Sequence, residues 1–163
     1  MTEKKILDLA TLRTVVAAQR AGNHKIVLAN GCFDVLHVGH IRYLRGAKAL
    51  GDVLVVGVNG DRSMRQIKDA GRPLMSEAAR VRLVAALECV DYVTVFDDPT
   101  VEPLIKALRP DVHAKGTDYT QETVPEREAV RSYGGEVAIV GDPKDHSTRD
   151  LIRRVLGRRG ERN

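Results

Sequence analysis

Asn30-Gly31-Cys32-Phe33-Asp34-Val35-Leu36-His37-Val38-Gly39-His40 is the stretch on which the reading of this 163-residue chain turns. The apolar run Lys25-Ile26-Val27-Leu28-Ala29 before it reads as a buried strand. Ile41 to Leu50 after it reads as a helix with Ile41, Leu44, Ala47 and Leu50 on one face. The stretch is therefore a strand-to-helix crossing with His-x-Gly-His at the head of the helix. Backbone N–H groups without intrahelical partners point outward there, and the helix dipole is positive, so an anion is favoured. Two imidazoles three residues apart share a helix face, roughly 5–6 Å apart at Cβ. Gly39 between them lets a phosphate approach the backbone. Two other readings stand beside the phosphate site: a zinc-ligand pair, with no third ligand at suitable spacing nearby, and ordinary core or surface histidines.

Working outward, the chain alternates strand and helix. Asp8 to Ala21 is an amphipathic helix closed by Gly22-Asn23. Asp52 to Val58 is a second strand, apolar on both faces as in parallel sheets. Arg62 to Lys68 is a short helix or loop, and Asp69 to Pro73 is a break. Ser76 caps a helix from Glu77 to Leu87. Tyr92 to Phe96, Val112 to Lys115 and Glu136 to Val140 are strands three to five. Helices over Thr100 to Leu108 and Pro125 to Tyr133 lie between them, and Thr148 to Leu156 is the last helix. The pattern predicts an α/β fold, Rossmann-like, three layers αβα around a five-stranded parallel sheet with right-handed crossovers. It predicts one domain over 1–163, with residues 1–24 carrying an N-terminal helix packed on it and 157–163 a flexible basic tail.

In such sheets ligands bind beyond the carboxyl ends of the strands, where strand order reverses. Four polar segments fall just after strands: Asn30 to His40, Asn59 to Asp61, Lys115 to Tyr119, and Asp142 to Thr148. No Gly-x-Gly-x-x-Gly follows strand one and no Walker A is present, so the His-x-Gly-His helix must hold any nucleotide. Ser147-Thr148 opens the last helix and reads equally as a phosphate site or a plain cap. Asn59 and Asp61 suit sugar hydroxyls, although Asp61 also suits a helix cap. Arg65, Lys68 and Arg72 suit a sugar phosphate or a solvated face. Asp34, an acid beside a phosphate site, is expected to face a second substrate or Mg²⁺.

The net charge of +4 is an end effect: residues 149–163 carry six arginines against two acids, and the rest balances. With no Trp and scattered Phe and Tyr, a base-stacking platform and a nucleic-acid partner are not expected. No apolar run reaches membrane-spanning length, and no signal-peptide core follows Met1, so no membrane and a cytoplasmic location are expected. Cys32 and Cys89 are too few for a disulfide framework or a Cys-based zinc site.

The stretch Gly31 to His40 resembles the HxGH signature of the nucleotidyltransferase superfamily of cytidylyl- and adenylyltransferases. The resemblance continues through Val58 to Asp61, Arg72-Pro73, Leu87 to Asp91, Lys115-Gly116-Thr117-Asp118-Tyr119 and His146-Ser147-Thr148, covering residues 25–156. Order and spacing are most similar to the adenylyltransferases that activate D-glycero-β-D-manno-heptose 1-phosphate. Elsewhere these form the C-terminal half of a two-domain kinase/adenylyltransferase. The resemblance implies transfer of AMP from ATP to a sugar 1-phosphate, giving ADP-heptose and pyrophosphate, with Mg²⁺ brought by ATP, in a homodimer. It implies catalytic His37 and His40. It implies a nucleotide site of Asn30, Gly31, Cys32, Phe33, Gly39, His40, Lys115, Gly116, Asp118, Tyr119, Ser147 and Thr148. A cytidylyltransferase for glycerol 3-phosphate and a non-catalytic nucleotide-binding module remain as alternatives. Three departures stand out. Thr117 replaces a glycine common in relatives, Arg149 replaces a Ser or Thr, and the Arg-Thr-Glu-Gly-Ile run of glycerol-3-phosphate cytidylyltransferases is absent, which favours ATP over CTP. A phosphate monoester is already anionic near pH 7, so the reaction needs alignment and charge neutralisation rather than a general base. Bound polyphosphate would favour protonated imidazoles at His37 and His40.

Overall fold

The structure, a computed structural model, describes residues 1–143 and 145–157. Five parallel strands form one sheet in the order β3-β2-β1-β4-β5: β1 Ile26–Gly31, β2 Val53–Asn59, β3 Tyr92–Phe96, β4 Val112–Lys115 and β5 Glu136–Ile139. Seven α-helices accompany them among the described residues: α1 Leu9–Ala21, α2 Val38–Lys48, α3 Asp61–Ile67, α4 Glu77–Ala85, α5 Glu102–Leu108, α6 Arg127–Arg131 and α7 Thr148–Gly157.

Both faces of the sheet are apolar because successive strand residues point to opposite sides. Val27 and Ala29 of β1 pack with Leu54, Val56 and Val58 against Leu44 and Ala47 of α2 and Val81, Val84 and Ala85 of α4. Ile26 and Leu28 join Val53 and Val55 on the other face, under Leu12 and Val16 of α1, Leu104, Ile105 and Leu108 of α5 and Val130 of α6. This is the three-layer architecture expected.

The order 3-2-1-4-5 puts the reversal between β1 and β4. Chain leaving β1 goes one way through β2 and β3, and the other way through β4 and β5. β1 runs past Ala29 because Asn30 and Gly31 pair with Gly57 and Val58 of β2. Several boundaries differ from expectation. α4 ends at Ala85, two residues early. α6 is confined to Arg127–Arg131, since Val124 to Glu126 already form the turn into it. A 3-10 turn, Thr2–Lys5, and a bridge from Ile6 to Val93 tie the N-terminal residues to the edge strand. α7 extends through Gly157, where the basic tail was expected to begin; residues 158–163 lie outside the described part.

Candidate active site

The loops at the carboxyl edge of β1 and β4 surround a cleft of about 830 Å³. Its walls come from Asn30 to Asp34, the head of α2, Lys68, Asp69 and Arg72, Lys115 to Tyr119, Val140 to Pro143, Asp145 to Asp150 and Arg153. Three of the four polar segments singled out above meet there.

His37 is the N-cap of α2, in extended backbone, and its Nδ1 accepts the Gly39 N–H at 3.1 Å. Reciprocally, Nδ1 of His40 accepts the His37 N–H at 3.3 Å. The two histidines thus form a capping box, a role normally filled by Ser or Thr with Glu or Gln. Their rings stack with centroids 3.9 Å apart, and Phe33 closes on His40 at 5.3 Å. An Nδ1 that accepts an N–H carries no proton of its own, so hydrogen bonding assigns both rings the neutral Nε2–H tautomer. The pair therefore presents its Nε2–H groups as the ring donors. A Cβ at Gly39 would stand 2.9 Å from Cε1 of His37, so glycine there keeps the cap ring seated.

Asn30 is held from both sides. The Tyr43 hydroxyl accepts its backbone N–H at 3.3 Å and donates to the Ala114 carbonyl at 2.7 Å. Its Oδ1 lies 3.0 Å from Nε2 of His113, which is fully buried in β4. Burial, with Lys115 next, pushes the His113 pKa down to about 3, so the ring is neutral. Lys115 ends β4 almost buried, its Nζ 4.6 Å from the Tyr119 ring centroid. Burial pulls the Lys115 pKa below the usual lysine value, opposed by Glu126. Thr117, the departure from the usual glycine, donates its hydroxyl to the Asp142 carbonyl at 2.9 Å and so ties two cleft loops together. The Ser147 hydroxyl accepts the Asp150 N–H at 3.0 Å, a cap for α7, and Thr148 donates its hydroxyl to the Val35 carbonyl at 3.2 Å. Both residues line the cleft, but the Thr148 proton is already engaged. Gly116 and Asp118 line it as well.

Cys32 also lines the cleft, but burial pushes its thiol pKa up, which disfavours a reactive thiolate. Asp34 departs from expectation. Its carboxylate is buried and accepts Arg72 Nε at 2.6 Å and the N–H groups of Leu74 and Met75 at 2.9 Å. It is a strut that holds Arg72 at the cleft rim rather than an open acid for substrate or Mg²⁺. Burial raises its pKa, but the two N–H groups and Arg72 outweigh that and hold it below the usual carboxylate value. A depressed carboxyl stabilises the fold above its unfolded pKa of about 3.9 and loses that contribution as pH falls through the folded value. Asp34→Asn should therefore unfold more easily near neutral pH, and its stability should fall less steeply below about pH 4 than the wild type's. Urea unfolding across that range measures both. A wild-type acid slope retained by the variant would contradict the assignment.

Asn59 and Asp61 are not among the residues lining this cleft. Asn59 is buried and its Nδ2 donates to Ser63 Oγ at 3.3 Å. Arg80, wholly buried, explains both: it donates to the carbonyls of Asn59 (2.6 Å), Cys32 (2.7 Å) and Met75 (3.0 Å) and pairs with Asp61 at 2.8 Å. Asp61 and Arg65 instead line a second, shallower depression that shares Lys68, Asp69 and Arg72 with the main cleft. The sequence reading missed Arg80, Tyr43, His113 and Arg42. An arginine in Glu77-Ala-Ala-Arg80-Val81 looks like any solvated helix position, and nothing local marks it as a pillar. Among the described residues no group of three or more His, Cys, Asp and Glu is gathered as a metal site requires, and no helix is long and apolar enough to cross a membrane.

A parallel sheet whose switch point opens on a helix headed by two cap-fixed imidazole donors is the frame of a nucleotide-binding α/β protein. Comparison narrows this. The cytidylyltransferase-like family model matches residues 28–154, so the chain belongs to that family of nucleotidyltransferases. It is 47% identical over 156 residues, 96% of its length, to the bifunctional protein HldE of Syntrophotalea carbinolica. It is 47% identical over 160 residues, 98% of its length, to HldE of Geobacter metallireducens. It spans about a third of those proteins, 32% and 33%. Among solved structures it is similar to the lipopolysaccharide core biosynthesis protein of Thermoplasma volcanium (TM-score 0.64, 28% identity, 74% of this chain and 99% of that one). It shares its fold with the pantoate-beta-alanine ligase of Francisella tularensis (TM-score 0.62, 15% identity, 88% of this chain and 68% of that one).

Proposed function

We propose that the chain is an adenylyltransferase that transfers AMP from ATP to D-glycero-β-D-manno-heptose 1-phosphate, releasing pyrophosphate. The observation that carries the reaction type is the histidine capping box: it fixes two Nε2–H donors at the positive end of α2, beside Gly39 and above the switch point. The substrate choice rests on the motif order and on the similarity of nearly all of this chain to about a third of the HldE proteins. Similarity to the lipopolysaccharide core biosynthesis protein of Thermoplasma volcanium points in the same direction.

In this reading His37 and His40 donate to oxygens of the α-phosphate and the bridging position, strengthening as charge builds there. Lys115, desolvated under Tyr119, adds positive charge at the β4 side. The start of α7 takes the β- and γ-phosphates on its N–H groups. Arg72, held by Asp34, and Lys68 bind the sugar phosphate, and the adjoining depression with Asp61 and Arg65 takes the sugar. The sugar phosphate attacks as it stands, without a base. Mg²⁺ travels with ATP as part of the substrate and supplies further neutralisation of phosphate charge. A homodimer belongs to the same reading and rests on the family resemblance.

Pyrophosphate release from purified protein, with ATP or CTP against heptose 1-phosphate or glycerol 3-phosphate, tests it. Release with ATP and the heptose phosphate alone is the expected result. Release confined to CTP and glycerol 3-phosphate would overturn the substrate assignment. No release with any pair would favour the non-catalytic module.

A further inference from the structure

His37 and His40 do not stand alone. The ring of His146, in the loop between β5 and α7, lies nearly parallel to that of His37, at 26° and with centroids 6.4 Å apart. Three imidazoles thus form a row along the cleft wall, and His146 lines the same cleft. Its hydrogen bonding is the reverse of its neighbours'. Its Nδ1 lies 2.6 Å from Oδ1 of Asp145, an acceptor, so Nδ1 carries the proton. The carboxylate of Asp145 in turn accepts Arg42 Nη1 at 3.3 Å, and Arg42 Nε pairs with Asp142 at 3.2 Å.

This difference decides what each ring can do. The first two cannot become imidazolium without breaking a cap. His146 can, since a second proton on Nε2 leaves its Nδ1–H bond to Asp145 in place.

We infer that His146 is a further catalytic residue, an imidazolium set by Asp145 that contacts the polyphosphate tail and gives its proton to the departing pyrophosphate. This rests on the nucleotidyl-transfer reading above. As the sugar phosphate oxygen bonds to the α-phosphorus, the bond from that phosphorus to the bridging oxygen breaks and its electron pair stays on that oxygen. The Nε2 proton of His146 passes to the pyrophosphate, leaving a neutral ring still bonded to Asp145 through Nδ1–H. Water restores the proton as pyrophosphate leaves. His37 and His40, fixed as neutral donors, hold the α-phosphate oxygens meanwhile. Among the described residues, the charged and titratable groups around His146 are His37 and Arg42 at the head of α2, Asp142 and Asp145 from its own loop, and Arg149 and Asp150 at the start of α7. His146 first, then Arg42, hold the Asp145 carboxyl below its usual range, which keeps it ionised as this role requires. Arg42 reinforces Asp145.

The full chain is titrated calorimetrically with α,β-methylene-ATP and Mg²⁺ in two buffers of different ionisation heat, between about pH 6 and about pH 8.5. Wild type should take up more protons on binding than His146→Gln in part of that range. Asp145→Asn should show that extra uptake at lower pH, because its imidazolium lacks the stabilising carboxylate. In turnover, His146→Gln should lose about 10²-fold in kcat with little change in KM for ATP. The fall of wild-type kcat as pH rises through the imidazolium titration should vanish in the variant. Analogue binding with equal proton uptake in wild type and His146→Gln overturns this inference alone, since nucleotide binding is then intact. An analogue that fails to bind wild type overturns the nucleotide reading and this inference together.

Discussion

His37→Asn and His40→Gln are each expected to keep the fold and to lower kcat by at least about 10²-fold, or about 2.7 kcal/mol of barrier. The choice of substituent matters because each histidine has two jobs. Nδ1 caps α2, and Nε2 is the proposed phosphate donor. Alanine removes both, and the lost cap alone is worth about 1 kcal/mol. Asparagine is a strong N-cap, and glutamine is the usual partner at the third helical position, so both restore the box without an imidazole donor at the same reach. The alanine variants should therefore melt lower and be inactive, while the conservative pair should melt near wild type and still be inactive. Conservative variants with wild-type turnover would mean that the rings serve the helix alone.

Arg80→Met should give the largest loss of stability of any single change to the site, about 3–5 kcal/mol. The guanidinium is wholly buried and joins β1, β2 and the start of α4 through three carbonyls and Asp61. Methionine matches much of its volume but leaves those carbonyls and a carboxylate without their donor, and each buried orphan costs about 1–3 kcal/mol. Urea unfolding monitored by circular dichroism reads the difference directly. A loss below about 1 kcal/mol would show that water takes over these contacts and that Arg80 is not the pillar described.

The architecture was legible where pattern and physics are both local. The bounds of β3 and β4 are those expected, because turn residues on both sides bracket each short run. Ser76 caps α4 as read. The parallel sheet followed from alternation alone, and its reversal beside β1 brought Asn30 to His40 and Lys115 to Tyr119 to one cleft. What could not be read depended on partners distant in sequence. Asn59 looked like a loop residue, yet it closes β2 opposite Phe96 and bonds inward to Ser63. Asp34 looked available, and only the turn after Pro73 supplies the N–H groups that engage it. His113 inside a strand carries no mark of its hold on Asn30 across the sheet. Which ring nitrogen of His37 and His40 is left to donate was also beyond the sequence, since it depends on which one the backbone occupies.

The most direct measurement is a crystal structure of the chain with α,β-methylene-ATP. The account predicts Nε2 of His37 and of His40 within about 3 Å of phosphate oxygens, with both Nδ1 atoms still accepting the α2 cap N–H groups. Rings turned away from the bound nucleotide, or joined to a zinc ion in its place, would contradict it.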